Sequence, residues 1–229
     1  MSLQMIQQLE VLRDRVLAMA ELVEKALDGS VKILSHRDEL EARRILDYEA
    51  AINGLEIEID QLATQMLALT QPVAKDLRFI TAAIKINSDL ERMGDLAVNI
   101  ARSSLQLLKH SATPSVGEIP EMARQVQEMV RTAVQAVAEG DDELARAVLR
   151  SDDSVDALKN RLFEQMVHGI EADAAAAAAN VDLIFIAHSL ERIADHATNI
   201  AEDVLFFVKG VEVRHRTSLG PNASDRPPG

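Results

Sequence analysis

Two segments of the chain carry the same set of oxygen-bearing side chains at an offset of 100 residues. Each set has a glutamate, an aspartate and an asparagine at intervals of four: Glu91, Asp95 and Asn99 in the first, and Glu191, Asp195 and Asn199 in the second. At 3.6 residues per turn, this spacing places the three side chains on one slowly drifting face of a helix. Two carboxylates four residues apart repel each other there, and a bound cation would relieve that repulsion.

The repeated segments, 87–101 and 187–201, are predicted to lie in packed helices. Apolar residues recur along both at steps of three and four, which is typical of a helix with packed neighbours. Glu91 and Glu191 fall within these apolar rows, so we expect both to occupy core positions. An ionised carboxylate in a dry core costs several kcal/mol and is therefore paired, protonated or bound to a metal. The pattern predicts a cation site in each half of the chain.

The preceding helix of each half supplies further candidate ligands. These are Asp152 with Asp156 in the second half, and Glu49 with Asn53 at the corresponding positions of the first. Carboxylates from two facing helices suit hard or borderline cations. Two alternatives stay open. Arg92, Arg192 or a basic residue of a neighbouring helix would neutralise the two glutamates, and the acids of the preceding helix would be ordinary surface charge.

Other residues with suggestive spacing have simpler interpretations. Three pairs with the same spacing are predicted to be solvated faces: Glu10 with Asp14, Glu24 with Asp28, and Glu56 with Asp60. His188 precedes Glu191 by three residues, the reverse of the Glu-x-x-His order of di-iron bundles, and is expected at the surface. His196 has no counterpart in the first half, and Gly94 is expected to mark a close helix contact. The sequence has no Gly-rich phosphate loop and no Ser/His/Asp set, so we predict no catalytic residues.

The apolar periodicity predicts an all-α fold. Six long helices are expected over about residues 2–35, 39–69, 73–110, 121–140, 142–170 and 174–209, with the segment 70–72 ending the second helix and capping the third. The shared order of elements predicts two tandem three-helix bundles related by a pseudo-twofold axis. The predicted domains are residues 1–111 and 118–210, joined by a linker over 111–117. Residues 211–229 are predicted to be a disordered tail.

The composition narrows the functional classes. The 229 residues include 24 Lys and Arg against 37 Asp and Glu, a formal net charge of −13. This balance argues against nucleic acid and anionic membranes as partners, and favours metal cations and basic protein surfaces. The absence of cysteine excludes thiolate zinc sites and disulfides. The first residues lack a signal-peptide pattern and no uncharged apolar run is long enough for a bilayer, so we expect a cytoplasmic protein without membrane insertion.

The repeated acidic pattern lies in two longer stretches. The first reads L-T-Q-P-V-A-K-D-L-R-F-I-T-A-A-I-K-I-N-S-D-L-E-R-M-G-D-L-A-V-N-I-A, and a degenerate copy ends L-I-F-I-A-H-S-L-E-R-I-A-D-H-A-T-N-I-A. They resemble the PhoU family, the accessory proteins of the high-affinity phosphate transport system, over most of residues 5–209. The resemblance implies two three-helix bundles, a cytoplasmic location and a homodimer.

The resemblance also implies a function. It predicts a regulator without enzymatic activity that represses phosphate uptake and the phosphate-starvation response, through contacts with the ATPase subunit of the phosphate ABC transporter and with a sensor histidine kinase. Family members bind iron, zinc or related metals, here iron, zinc, manganese or magnesium, through E/D-x-x-x-D motifs. The matching pairs are Glu91 with Asp95, Glu191 with Asp195, and Asp152 with Asp156. Asn53 after Glu49 departs from the motif, and the lost charge weakens the cluster expected in the first bundle.

Two other functions remain open at this point. One is a carboxylate-bridged di-metal enzyme or metal-storage protein of the ferritin-like kind, a chemistry that calls for matched Glu-x-x-His motifs which the sequence lacks. The other is a relative that assists a different phosphate carrier and uses the same fold and sites.

Overall fold

The regular structure of the protein is helical. A computed structural model describes residues 3–36, 39–110 and 115–210, and no strand occurs within these ranges. The elements are α1 Leu3–His36, α2 Glu39–Leu69, α3 Ala74–Leu107, α4 Ile119–Glu139, α5 Asp142–Ala172, a 3₁₀ turn Ala174–Ala176, and α6 Ala177–Lys209. The predicted all-α fold with six long helices is confirmed. Residues 111–114 of the predicted linker and the predicted tail, 211–229, lie outside the described residues.

The helices form two bundles of three. Helices α1, α2 and α3 pack together, as do α4, α5 and α6. The bundles meet where α3 packs against α6 and α1 contacts α4. Near the start of α3, Arg78 Nε donates a hydrogen bond to the carbonyl of Phe207 near the end of α6. Further along α3, Asp89 pairs with His196, which lies earlier in α6. The two helices therefore run antiparallel. The predicted arrangement of two tandem three-helix bundles is confirmed.

Side-chain capping varies among the helix starts: Asp141 caps α5, whereas α3, α4 and α6 start without a side-chain cap hydrogen bond. The carboxylate of Asp141 accepts hydrogen bonds from two backbone N–H groups in the first turn of α5, at 2.8 and 3.1 Å, as N-cap residues do. Capping of α3 by residues 70–72 is not observed: its N-cap is Val73, whose apolar side chain makes no hydrogen bond, and the Thr70 hydroxyl donates to the carbonyl of Met66 at the end of α2.

One continuous apolar core joins the two bundles. Its largest group of buried side chains draws members from all six helices, including Leu12 of α1, Leu90 of α3 and Leu190 of α6. A second, smaller group lies within the first bundle and includes Ile33 and Ile45. Each half therefore depends on the other for part of the apolar surface that it buries.

Small residues allow the helices of the first bundle to approach closely. A Cβ atom added at Gly94 of α3 would lie 3.0 Å from Cδ1 of Ile52 on α2. Ala97, one turn further along α3, is fully buried. Both observations agree with the expectation that Gly94 marks a close helix contact.

Polar side chains are buried where α3 faces α6. His196 Nδ1 lies 2.8 Å from Asp89 Oδ1, and both side chains are less than 10% exposed. Asn199 Nδ2 donates to the same carboxylate oxygen at 3.3 Å. Further along the interface, Lys85 Nζ lies 3.4 Å from Oδ1 of the buried Asp203. The sequence analysis did not identify this polar seam.

The segment Ala174–Lys209 has the length and apolar composition of a membrane-spanning helix. In the fold, α6 packs against α3, α4 and α5, and it supplies core residues such as Leu183 and Ile193. A helix at the centre of a helical fold needs the same composition, so we assign this helix to the protein core.

Candidate functional site

The second bundle brings together the acidic residues that the sequence analysis selected on α5 and α6. Burial, followed in order by the charges of Asp156, Asp195, Asp153 and Glu191, raises the pKa of Asp152 to about 6. The pKa of Asp195 is also raised, first by partial burial and then by Glu191 and Asp156, although part of its side chain remains in solvent. These carboxylates therefore repel one another electrostatically across the α5–α6 interface.

A lysine lies at the centre of this second cluster. Lys159 Nζ of α5 is 3.2 Å from Oε1 of Glu191, whose side chain is only 15% exposed. The other oxygen of that carboxylate lies 3.3 Å from Nδ1 of His188, which is exposed as predicted. Both oxygens of Glu191 thus have partners within the protein. This agrees with one alternative left open by the sequence, in which a basic residue of a neighbouring helix neutralises the glutamate.

The first bundle has a different balance of charges. Partial burial raises the pKa of Glu91, and the charges of Asp95 and Glu56 raise it further, while Arg92 opposes them. The Asp95 carboxyl is also within hydrogen-bonding reach of Glu91. Within the described part of the chain, no Lys, Arg or His forms a salt bridge with Glu91, Asp95 or Glu56. In the part of the chain that the structure describes, the carboxylates of the first cluster therefore have no basic side chain paired with them.

Two expectations about burial are corrected by the structure. Glu91 and Glu191 are half-buried rather than in the core, because Leu90, Leu190 and the other apolar residues of each helix occupy the inward face. The pairs expected to be solvated are partly covered as well. Glu24, Asp28 and Glu56 are all half-buried, and only the pair Glu10 with Asp14 is fully exposed.

The remaining predicted ligands have other surroundings. Asn99 and Asn53 are exposed, and Glu49 is half-buried. No described hydrogen bond or ion pair joins Glu49 or Asn53 to Glu91. Asn199 is half-buried and its amide donates to Asp89, away from the second cluster. Their role as metal ligands stays a prediction.

The two acidic clusters differ in how well their side chains suit a metal ion. Hard cations take several carboxylate oxygens in one coordination sphere. In residues 3–36, 39–110 and 115–210, no three His, Asp or Glu side chains are positioned to hold one ion. Among the described residues the first cluster has no ion-paired basic side chain, and partial burial together with the charges of Asp95 and Glu56 raises the pKa of Glu91, so its charge suits a cation. The second cluster does not fit as well, because Lys159 already contacts Glu191.

Two residues of these clusters were missed by reasoning within each helix. The sequence analysis predicts Glu56 to be solvated and assigns no role to Lys159. Aligning α2 with α5 so that Glu49 matches Asp152 places Glu56 opposite Lys159. Opposite charges at equivalent positions of a repeat are the signal that identifies both.

The raised pKa of Asp152 predicts a pH dependence of stability. Between pH values of about 4 and 6 the folded state binds more protons at this group than the unfolded state, so the free energy of unfolding falls as pH rises through that window. Asp152→Asn removes the unfavourable charge. After allowance for solvent screening, we expect the variant to be about 1–2 kcal/mol more stable than the wild type at neutral pH and to lose that advantage below about pH 4.

Urea denaturation as a function of pH measures this effect. Asp47→Asn, at an exposed position of α2, is the matched control and should leave the pH profile unchanged. Equal stability of the Asp152→Asn variant and the wild type at every pH would contradict the prediction.

Comparison with known proteins identifies the family. The profile of the PhoU domain matches residues 16–104 and 119–204. The chain belongs to the PhoU family. The first match lies within α1–α3 and the second within α4–α6, so the family domain occurs once in each bundle.

Several relatives of this PhoU-family chain are known by sequence. It is 38% identical over 209 residues to the phosphate-specific transport system accessory protein PhoU homolog of Pseudomonas aeruginosa, covering 91% of this chain and 86% of that protein. It is 33% identical over 208 residues to the phosphate-specific transport system accessory protein PhoU of Serratia marcescens, with coverage of 91% and 86%.

Solved structures of the family share the fold. The crystal structure of PhoU from Pseudomonas aeruginosa matches with a TM-score of 0.87 and 37% identity, over 90% of this chain and 99% of that one. The phosphate transport system regulatory protein PhoU from Streptococcus pneumoniae matches with a TM-score of 0.83 and 26% identity, over 91% and 99%.

Proposed function

We propose that this PhoU-family protein is a cytoplasmic, non-enzymatic regulator of phosphate uptake and of the phosphate-starvation response. It acts as a homodimer through contacts with the ATPase subunit of the phosphate ABC transporter and with a sensor histidine kinase. The observation that carries the proposal is the match of both bundles to the PhoU domain, together with relatives named phosphate-specific transport system accessory proteins.

The charge of the chain supports partners with basic surfaces. A formal net charge of −13 accelerates association with a positively charged protein and disfavours nucleic acid. The fold supports an adaptor role, since one apolar core runs through both bundles and holds their outer faces in a fixed relation. We do not carry forward the ferritin-like enzyme, because the sequence lacks the matched Glu-x-x-His motifs that its chemistry calls for.

The proposal includes a cation at the acidic clusters, with iron, zinc, manganese or magnesium as candidates. Carboxylate oxygens suit these ions, and a cation beside Glu91, Asp95 and Glu56 would offset the repulsion that raises the pKa of Glu91. These residues would hold the ion and orient one helix against the next, so we expect the bound ion to increase the stability of the fold. Elemental analysis of the purified protein identifies the ion.

Direct binding tests the regulatory role. The purified protein should bind the ATPase subunit and the cytoplasmic part of the kinase from the same genome in biolayer interferometry, with weaker binding at about 1 M salt because exposed charges are then screened. An unrelated helical protein of similar net charge is the control. Failure to bind either partner at micromolar concentrations, with and without added metal, would contradict the proposal.

A cellular experiment measures the effect of the protein on the phosphate-starvation response. Deletion of the gene should derepress a phosphate-starvation reporter in phosphate-rich medium, and the wild-type gene should restore repression. A reporter that remains repressed after the deletion would argue against negative regulation.

A further inference from the structure

The two bundles differ by a charge reversal at one equivalent position. The second helices of the halves align at an offset of 103 residues, which pairs Glu49 with Asp152 and Glu56 with Lys159. The burial pattern agrees with this alignment, because three apolar positions are buried in both helices: Ile45, Ile52 and Ile59 in α2, and Val148, Val155 and Leu162 in α5. The exchange of Glu for Lys changes the local formal charge by two units.

Each member of this pair faces the corresponding glutamate of the following helix. The charge of Glu56 raises the pKa of Glu91, whereas the Lys159 ammonium lies 3.2 Å from Oε1 of Glu191. The same exchange also acts on the aspartate one turn further on, since Lys159 opposes the rise in the pKa of Asp195. The lysine therefore interacts with two carboxylates of the second cluster.

The side chain of Lys159 is held in place along its length. Its stem lines an apolar groove of about 250 Å³ between α5 and α6, together with residues such as Leu162, Met166 and Ile184. About a third of the side chain is exposed, and its ammonium is directed at Glu191. A lysine that covers apolar surface with its stem and meets a carboxylate with its head is fixed more firmly than a typical surface lysine.

We propose that Lys159 is a built-in counter-ion of the second acidic cluster and lowers its affinity for a metal ion, whereas Glu56 at the equivalent position adds a negative charge to the first cluster. The inference rests in part on the proposed cation binding of the first bundle. It reverses the sequence-based expectation, in which Asn53 made the first cluster the weaker of the two. Lys159 acts here as a specificity-determining residue that decides which cluster takes up a metal.

The test uses the full chain with single substitutions at the two equivalent positions. Mn²⁺ binding is measured by isothermal titration calorimetry, and the melting temperature is measured in metal-free buffer and with added Mn²⁺. Lys159→Gln should lower the melting temperature in metal-free buffer, bind Mn²⁺ about tenfold more tightly than wild type at the second cluster, and recover stability when Mn²⁺ is added. Lys159→Met keeps the apolar stem and should give the same gain in Mn²⁺ binding, which separates loss of charge from loss of packing.

The reciprocal substitution and a surface control complete the experiment. Glu56→Lys installs a counter-ion in the first bundle and should abolish the stabilisation of the wild type by Mn²⁺. Lys25→Gln removes a lysine from an exposed pair with Glu21 and should leave Mn²⁺ binding unchanged. Unchanged melting temperature and Mn²⁺ binding in both Lys159 variants would overturn the inference.

The outcomes also separate this inference from the proposed cation site of the first bundle. A wild type that does not bind Mn²⁺, beside a Lys159→Gln variant that does, would contradict the first-bundle site and support the role of Lys159. A wild type that binds Mn²⁺, beside Lys159 variants that bind it no better, would retain that site and overturn the inference.

Discussion

Replacing Asp89 by alanine should lower the free energy of unfolding by about 2–4 kcal/mol, because the buried His196 and the half-buried Asn199 would each lose a hydrogen-bond acceptor. His196 is buried and its Nδ1 lies 2.8 Å from the Asp89 carboxylate, which also accepts a hydrogen bond from Asn199. The substitution removes an acceptor that two side chains share in the interface between the bundles. Urea denaturation followed by far-UV circular dichroism measures the loss.

The repeat supplies a matched control for this variant. At the offset of 100, Asp89 and His196 correspond to Ser189 and Leu96. The double substitution Asp89→Ser with His196→Leu copies that pair and should recover stability to within about 1–2 kcal/mol of wild type, because removing both members of a buried pair leaves neither without its partner. An Asp89→Ala variant as stable as the wild type would show that the pair does not hold the interface together.

Leu90→Ala and Leu190→Ala should each lower the free energy of unfolding by about 2–5 kcal/mol. Both side chains are fully buried, one in each bundle, and both belong to the apolar core that runs through all six helices. Because the bundles share this core, each variant should still unfold in a single transition, with both halves lost together. Differential scanning calorimetry measures the transition, and Leu69→Ala, at a position that is 74% exposed, is the control.

Two separate transitions would contradict this expectation. If Leu90→Ala moved only the first of them and Leu190→Ala only the second, the predicted domains 1–111 and 118–210 would be independent folding units. The domain boundaries themselves remain a prediction.

The helices, their duplication and the order of the bundles are predictable from the sequence because they depend on local spacing. A period of 3.6 residues assigns each side chain to a face of its own helix, and the recurrence of Glu91 with Asp95 as Glu191 with Asp195 reveals the repeat. The predicted clustering of Asp152 with the acids of α6 follows from the same logic, since the duplicated acidic faces are directed toward a neighbouring helix.

Contacts between helices are harder to predict because they depend on how two helices rotate and shift against each other. The pairing of Lys159 with Glu191 and that of Asp89 with His196 are contacts of this kind. Spacing along one helix contains no information about which residue of the next helix it meets. The half-burial of Glu91 is hard to predict for a similar reason. Glu91 lies at the edge of a wide row of apolar residues, and the edge of that row is partly exposed to solvent.

Asp89 and His196, where the bundles meet, differ from the residues at the equivalent positions of the other half, and this difference favours pairing of α3 with α6. If α3 of one chain were to pair in the same way with α3 of a second chain, each Asp89 would face a Leu96 and would lose the hydrogen bond to its histidine. Pairing of α6 with α6 would likewise place His196 against Ser189. Although the halves descend from one pattern, they are not interchangeable, and the pairing of two first halves or of two second halves is thereby disfavoured.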